Sequence, residues 1–454
     1  MNRYIILYIL LFIIPGRVSP QPSVLNDYIR EGLESKLALR QKEASFEKSM
    51  AALKEARSWY YPDISINARY TRADGGRVIE FPVGDMMNPV YSTLNLLTGS
   101  SQFPLIENME FYFLRSEEHE TKVSVIQPII DPRIYYNNKI NRYLSQAKQA
   151  DADAFRRQLV ADIKTAYYSY LKVLRLEQLV LTTRGLLEEN VRVNESLFRN
   201  DKVTIDNVYR SKAELSKLDQ QEAEVILAKQ TAKSWFNFLL NKPLDSEIAI
   251  AELPELSDTS FIPVDLPSAQ NSALQSREEI AMLENYSSAN DYLISLNQMQ
   301  KLPTLYGAVD YGFQGTEYRF NSDYDYVLAS LVLRWDLFHG FENRSKISQA
   351  KIERDIRQDQ LEESKNQIRL QVVQSWYDLI ASQASIEAAR EEQQSARQAF
   401  QVIERKFKEG QASLIEFIDA RTATTNAENT LIISQYDYLI KQADFERVAC
   451  LYKF

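Results

Sequence analysis

Asp63-Ile-Ser-Ile-Asn-Ala-Arg-Tyr-Thr71 alternates without a break, placing Ile64, Ile66, Ala68 and Tyr70 on one side of the chain and Ser65, Asn67 and Arg69 on the other. A period of two belongs to a strand, whose successive side chains point to opposite faces. The pattern returns at 304–314, with Leu305, Val309, Tyr311 and Phe313 on one side. It returns again from Val327 to Leu337, where Val327, Ala329, Leu331, Leu333, Trp335 and Leu337 oppose Ser330, Arg334 and Asp336. Val123 and Val125 carry a shorter version after Thr121. Four strands of about 10 residues, apolar on one face with aromatics near the ends, suit a transmembrane barrel wall. A soluble two-layer sheet produces the same alternation. In lipid, four strands cannot close a barrel, and an open edge leaves backbone groups unpaired, so several chains would have to share one barrel.

Flanking these strands are segments almost free of helix breakers. Between Pro132 and Pro243 the only Gly or Pro is Gly185, and after Gly340 the only one is Gly410. Residues 133–200 and 341–409 would each run roughly 100 Å as continuous helix at 1.5 Å per residue. Apolar positions recur at alternating spacings of four and three, as in Leu159, Ile163, Ala166 and Tyr170 and in Ile368, Val372, Ser375 and Leu379. That is an antiparallel coiled-coil pattern, turning at 199–204 and 408–413. A cytosolic coiled-coil scaffold would fit these helices as well.

The chain also repeats. Phe198-Arg-Asn-Asp-Lys-Val-Thr-Ile205 and Phe407-Lys-Glu-Gly-Gln-Ala-Ser-Leu414 each lead into a helical run, 209 residues apart. The same offset pairs Gln158 with Gln367, Leu159 with Ile368, Ile163 with Val372, Tyr168 with Tyr377 and Phe236 with Phe445. Upstream, an offset of 241 pairs Leu25 with Leu266, Ser35 with Ser276, Lys36 with Arg277 and Pro62 with Pro303. Internal repeats of this kind fix the architecture before any local assignment. They predict two repeats, 22–245 and 266–454, joined by a linker at 246–265. The first holds strands at about 62–72 and 120–131 and long helices at 133–240. The second holds strands at about 303–314 and 325–338 and long helices at 341–450.

At the N-terminus, Arg3 precedes an apolar run from Tyr4 to Ile14, long enough for a secretory signal and too short to span a bilayer. We read residues 1–21 as a signal peptide. The chain has 454 residues and a net charge of -9, which argues against a nucleic-acid partner, since that needs a concentrated basic face. Its single cysteine, Cys450, cannot form an internal disulfide, so packing or assembly must hold an exported chain together.

The order helix, strand pair, long helix pair, given twice, resembles the TolC-like outer-membrane efflux proteins from about residue 22 onward. The most specific stretch is Phe407-x-x-Gly410-x-x-Ser413-Leu-Ile-Glu416-Phe-Ile-Asp419-Ala-Arg421, followed by Asn426-Ala427, which matches that family's signature at the helix turn. The first copy keeps Phe198, Thr204, Ile205 and Val208 but has Asp201 where the family usually has glycine. Asp tolerates left-handed backbone better than most residues, so the turn is expected to survive.

The resemblance implies a mainly α fold with a β-barrel portion: a homotrimer sharing a 12-stranded transmembrane β-barrel and a long antiparallel coiled-coil tunnel of 12 helices in the periplasm. It implies an outer-membrane exit duct of a tripartite efflux system, conducting passively, partnered by a periplasmic adaptor (membrane fusion) protein and an inner-membrane pump, proton-driven or ATP-driven. Glu416 and Asp419 match acids that ring the pore aperture in the family. The tip turns, Asp201, Lys202 and Val203 with Gly410, Gln411 and Ala412, would contact the adaptor. Phe407, Ala412 and Asn207 stand where the best-known members carry a polar aromatic, a base and an acid, so their gating network is only partly present and a different set of bonds is expected to lock this aperture. Segments 72–120 and 315–325 would be exterior loops.

Catalytic constellations are missing from the sequence. His119 and His339 are the only histidines, no second ligand sits at zinc-like spacing, and there is no phosphate loop or nucleophile elbow. No enzyme activity, cofactor or metal is expected. The competing reading is a non-conducting structural or adhesive envelope protein with a periplasm-spanning coiled coil.

Overall fold

A computed structural model describes residues 23–250 and 264–452. The expected signal peptide, and most of the expected linker, lie outside the described residues. The chain divides into a helical unit (up to Ser49, Leu144–Ser287 and Asp355–Phe454) and a strand-bearing unit (Met50–Tyr143 and Ser288–Arg354). No described helix is long and apolar enough to cross a membrane.

The helical unit is built from α1 (Ser23–Ser35), the start of α2 (Leu37–Ser58), most of α4 (Pro132–Arg199), α5 (Ile205–Leu239), α6 (Leu266–Ser276), the start of α7 (Glu278–Met299), most of α8 (Glu342–Lys408) and α9 (Leu414–Val448). α4 has 68 residues and α8 has 67, each followed by a 35-residue partner. Helices this long persist because nothing inside them breaks the i to i-4 ladder and an apolar seam runs their length.

Two cores anchor this unit, and they use matching sequence positions. One gathers Leu25, Leu159, Ile163, Tyr170, Phe236 and Leu240; the other gathers Ile368, Val372, Leu379, Phe445 and Ala449. The 209-residue register is thus a packing register. It fails at Tyr168 and Tyr377: the first packs against its core, while the second is 58% exposed. The helix before each strand pair is broken in two, at Lys36 and again 241 residues later at Arg277. At the first break Ser35 Oγ donates to the Leu240 carbonyl at 2.7 Å and Lys36 Nζ to that of Phe238 at 3.0 Å. At the second, Arg277 Nη1 donates to the Val448 carbonyl at 3.4 Å. Each cation bonds a carbonyl in the last turn of α5 or α9, where positive charge suits the helix dipole.

In the strand-bearing unit, β1 (Asp63–Arg72), β4 (Glu117–Ile130), β5 (Thr304–Gly315) and β6 (Asp325–Arg334) form one antiparallel sheet in the order β1-β4-β5-β6. β4 starts earlier than the sequence suggests and contains His119. That imidazole is buried, donates through Nε2 to the Glu317 carbonyl at 2.5 Å and stacks on Tyr318, tying the β5–β6 turn to the strand. β6 ends at Arg334, which pairs with Thr304. Trp335 and Leu337 keep the alternation but have no partner strand, because β5 begins only at Thr304 and Pro303 before it offers no N–H.

Segment 72–120 is more than a loop. It contains β2 (Val78–Phe81), α3 (Val83–Thr98) and β3 (Met109–Tyr112), with β2 and β3 paired antiparallel. Residues 86–106 carry no charged side chain. They are held by asparagines acting as backbone mimics: Asn88 exchanges two hydrogen bonds with Ile106, both at 2.9 Å, and Asn95 two with Phe103. Sequence pattern missed this element because side-chain amides, rather than apolar periodicity, hold it.

Candidate functional site: the sheet faces and the helix tips

Register places the two faces of the sheet without ambiguity. Ile64 pairs with Val125 and Ile66 with Val123, Val125 and Val123 with Val309 and Tyr311, and these in turn with Ala329 and Val327. This row-by-row apolar face is solvent-facing in the single chain, with Ile66 76% and Leu331 69% exposed. So large an exposed apolar surface marks a face meant for an apolar surrounding. Its reverse is polar. There Arg69 lies 3.5 Å from Glu120, Lys122 bonds Asp310 at 2.8 Å, and Tyr326 donates to Glu120 at 2.6 Å. Ile126, Leu328 and Val332 are the large apolar exceptions on that side. β1 and β6 are both edge strands.

The two tip turns are built alike. After α4, Asp201 adopts φ +54°, its N–H donates to the Phe198 carbonyl at 3.0 Å, and the Lys202 N–H to that of Leu197 at 2.9 Å. After α8, Gly410 adopts φ +74°, and Gly410 and Gln411 donate to Phe407 and Lys406 at 3.0 and 2.7 Å. Both are Schellman closures, with the left-handed residue just past the helix end. Asp201, Lys202, Gly410 and Gln411 are exposed, and Val203 and Ala412 are half-buried.

Glu416 and Asp419 both lie on exposed positions of the first turns of α9, but they differ in employment. Glu416 completes a capping box: Ser413 Oγ accepts from its N–H at 3.3 Å, while its carboxylate accepts from the Ser413 N–H at 2.7 Å. Those bonds from Ser413 hold the Glu416 carboxyl below the usual carboxylate range. The Ser-x-x-Glu spacing is legible in the sequence and gives Glu416 a local role beside the one the resemblance implies. Asp419 makes no such bond and stands free to act on solvent or ions. The first tip has no box, since Asn207 replaces the glutamate and Thr204 makes no capping bond to the helix.

Behind the tips sits a pair that spacing alone could not find. Arg421 on α9 is buried, with Nη2 3.8 Å from the Glu214 carboxylate on α5 and with Nε and Nη1 lacking partners. Burial lowers the guanidinium's pKa, and Glu214 only partly offsets that. In the first hairpin the seam is polar instead: Asn194 Nδ2 donates to Ser211 Oγ at 3.1 Å, and Ser211 Oγ to the Asn207 carbonyl at 2.9 Å. Among the described residues no cluster of His, Cys, Asp and Glu is arranged to hold a metal. Cys450 is half-buried, and burial pushes its thiol up to about 11.

Residues 269–449 match the family model described as outer membrane efflux protein. A search of curated proteins finds no match. Among solved structures, the outer-membrane channel OprN superposes with a TM-score of 0.78 at 16% identity, covering 94% of this chain and 89% of that one. The CmeC outer membrane channel of Campylobacter jejuni gives 0.77 at 15% identity, covering 94% and 86%. The open state of the MtrE outer membrane channel of Neisseria gonorrhoeae gives 0.73 at 14%, covering 94% and 88%. Over its second half the chain matches the outer membrane efflux protein family, and over 94% of its length it has the fold of the TolC-like channels.

Proposed function

We propose that the chain is one protomer of a homotrimeric outer-membrane exit duct, carrying substrates passively from an inner-membrane pump and periplasmic adaptor to the exterior. In this reading residues 1–21 direct export, and 22–245 and 266–454 are the two repeats. The observation that carries it is the sheet: one face apolar across all four strands, the reverse polar, and both edges open. An apolar face toward lipid, a polar face toward a lumen and edges paired by neighbouring copies satisfy every backbone group at once. Three copies give 12 strands. The long hairpins then extend into the periplasm and put the tip turns where an adaptor docks.

Conduction separates this from a structural envelope protein. Purified protein in a planar bilayer is expected to give ion channels, and native mass measurement to give a trimer. A folded sample that is only monomeric, or a trimer that never conducts, would overturn the reading.

A further inference from the structure

Where Thr304 pairs with Arg334 and β6 gives way to α8, the strand-bearing unit surrounds a cavity of about 880 Å³. Its lining holds five basic side chains, Arg133, Lys301, Arg334, Arg344 and Lys346, against two acids, Asp336 and Glu342. In a chain of net charge -9 this is a local reversal of sign. Three of the cations are already matched: Arg133 with Asp131 at 2.7 Å, Arg334 with Asp336 at 3.1 Å and Lys346 with Glu342 at 2.6 Å. Lys301 and Arg344 make no ion pair among the described residues. The first turn of α8 lies in the same lining and adds the positive end of a 67-residue helix.

The lining also holds Gln300, Thr304, His339 and Asn343, and beside these polar groups stands an open apolar part. Trp335, Leu337, Phe338 and Phe341 are 58%, 79%, 71% and 69% exposed. The Trp335 indole donates to the Lys301 carbonyl at 3.0 Å, fixing the ring beside that lysine's backbone. Phe341 adopts φ +66°, a costly backbone for a bulky residue, and meets Phe338 edge-on at 5.4 Å. Asn343 Oδ1 is buried without a hydrogen-bond partner. Uncompensated cations beside exposed aromatics fit an anion that carries an apolar tail. A free inorganic ion would gain nothing from the aromatic part.

We infer that this cavity binds the phosphate headgroup of an anionic phospholipid, with Lys301 and Arg344 supplying the unmatched charge and Trp335 and Phe338 the contact with its acyl chains. The inference rests on the sheet being a bilayer wall, which puts the end of the strand ladder at headgroup depth, where aromatic and basic residues belong.

The test first reconstitutes the full-length protein into phosphatidylcholine vesicles, which the apolar wall alone should drive. Phosphatidylglycerol is then titrated against phosphatidylcholine in detergent, with retained lipid counted by native mass spectrometry. Phosphatidylglycerol is expected to bind about tenfold tighter, the preference disappearing in K301Q/R344Q and surviving in K301R/R344K. Inorganic phosphate at millimolar concentration is expected not to compete. Equal binding of the two lipids, a preference unchanged in K301Q/R344Q, or full competition by inorganic phosphate would overturn the lipid site while leaving the duct intact. A chain that does not enter phosphatidylcholine vesicles would overturn the duct reading and this inference with it. Trimer and helical circular dichroism in each variant separate lost binding from lost folding.

Discussion

Asp201 and Gly410 occupy the same left-handed backbone well, at φ +54° and +74°, and close the same pair of hydrogen bonds 209 residues apart. Only one of them is a glycine. The first repeat therefore keeps its turn at a steric cost, for Asp smaller than the roughly 1–2 kcal/mol usual for a side chain in this region. Gly410→Ala should import that cost, and Asp201→Gly should remove it. Hydrogen exchange of the N–H groups of residues 410–411 is expected to accelerate about tenfold in the first variant, and that of 201–202 to slow in the second. Equal rates in wild type and variants would refute the shared closure.

Val203 and Ala412 stand at corresponding places in the two tips, one residue past each closure. If the tips dock an adaptor, V203W and A412W should abolish export while trimer and membrane insertion are unchanged. Export at the wild-type rate in both variants would remove docking from these turns.

Ser413 and Glu416 cap α9, whereas Asp419 does not. Ser413→Ala should cost about 1 kcal/mol of local stability and raise exchange in the first turn of α9. Glu416, whose folded pKa is lowered from 4.5, supports the cap above that value and stops doing so as pH falls through the lower folded value. Single-channel cation selectivity then sorts the two acids. Asp419→Asn should weaken it if that residue rings the aperture, while Glu416→Gln should mainly loosen the cap. Unchanged selectivity in both would place neither at a pore.

Arg421 is buried and poorly served by its partner, the half-buried Glu214, which also accepts from Lys217 at 2.7 Å. Removing the acid leaves an unmatched guanidinium, so Glu214→Ala should destabilise the helical unit by about 1–3 kcal/mol. Arg421→Met removes charge and demand together and should be neutral or stabilising. Denaturant melts of the two variants check the sign, and destabilisation of equal size in both would refute it.

Val309 sits in the middle row of the apolar face, between Val125 and Ala329. Val309→Arg is expected to cost about 2–4 kcal/mol of vesicle-inserted stability, the usual penalty for a cation at mid-bilayer depth. Ser330→Arg, on the polar face, should insert normally. Similar yields of inserted protein for both would show that the face does not meet lipid.

Strands and long helices were legible in the sequence because their cause is local: alternation needs only neighbouring residues, and an uninterrupted helix needs only the absence of Gly and Pro. The repeat was legible for the same reason, since Leu159 and Ile368, or Ile163 and Val372, keep their chemistry as they keep their place in the core. Ser413 and Glu416, three residues apart, also announce their cap. Tertiary structure alone decided what depends on partners distant in sequence. The helix breaks at Lys36 and Arg277 follow from carbonyls about 200 and 170 residues away. The fold of segment 72–120 rests on Asn88 and Asn95 reaching across a turn. The pairing of Arg421 with Glu214, and the meeting of Lys301 and Arg344 around one cavity, require the chain to return on itself. No periodicity records such meetings, because the free energy of a long-range contact belongs to the pair and leaves no pattern in either neighbourhood.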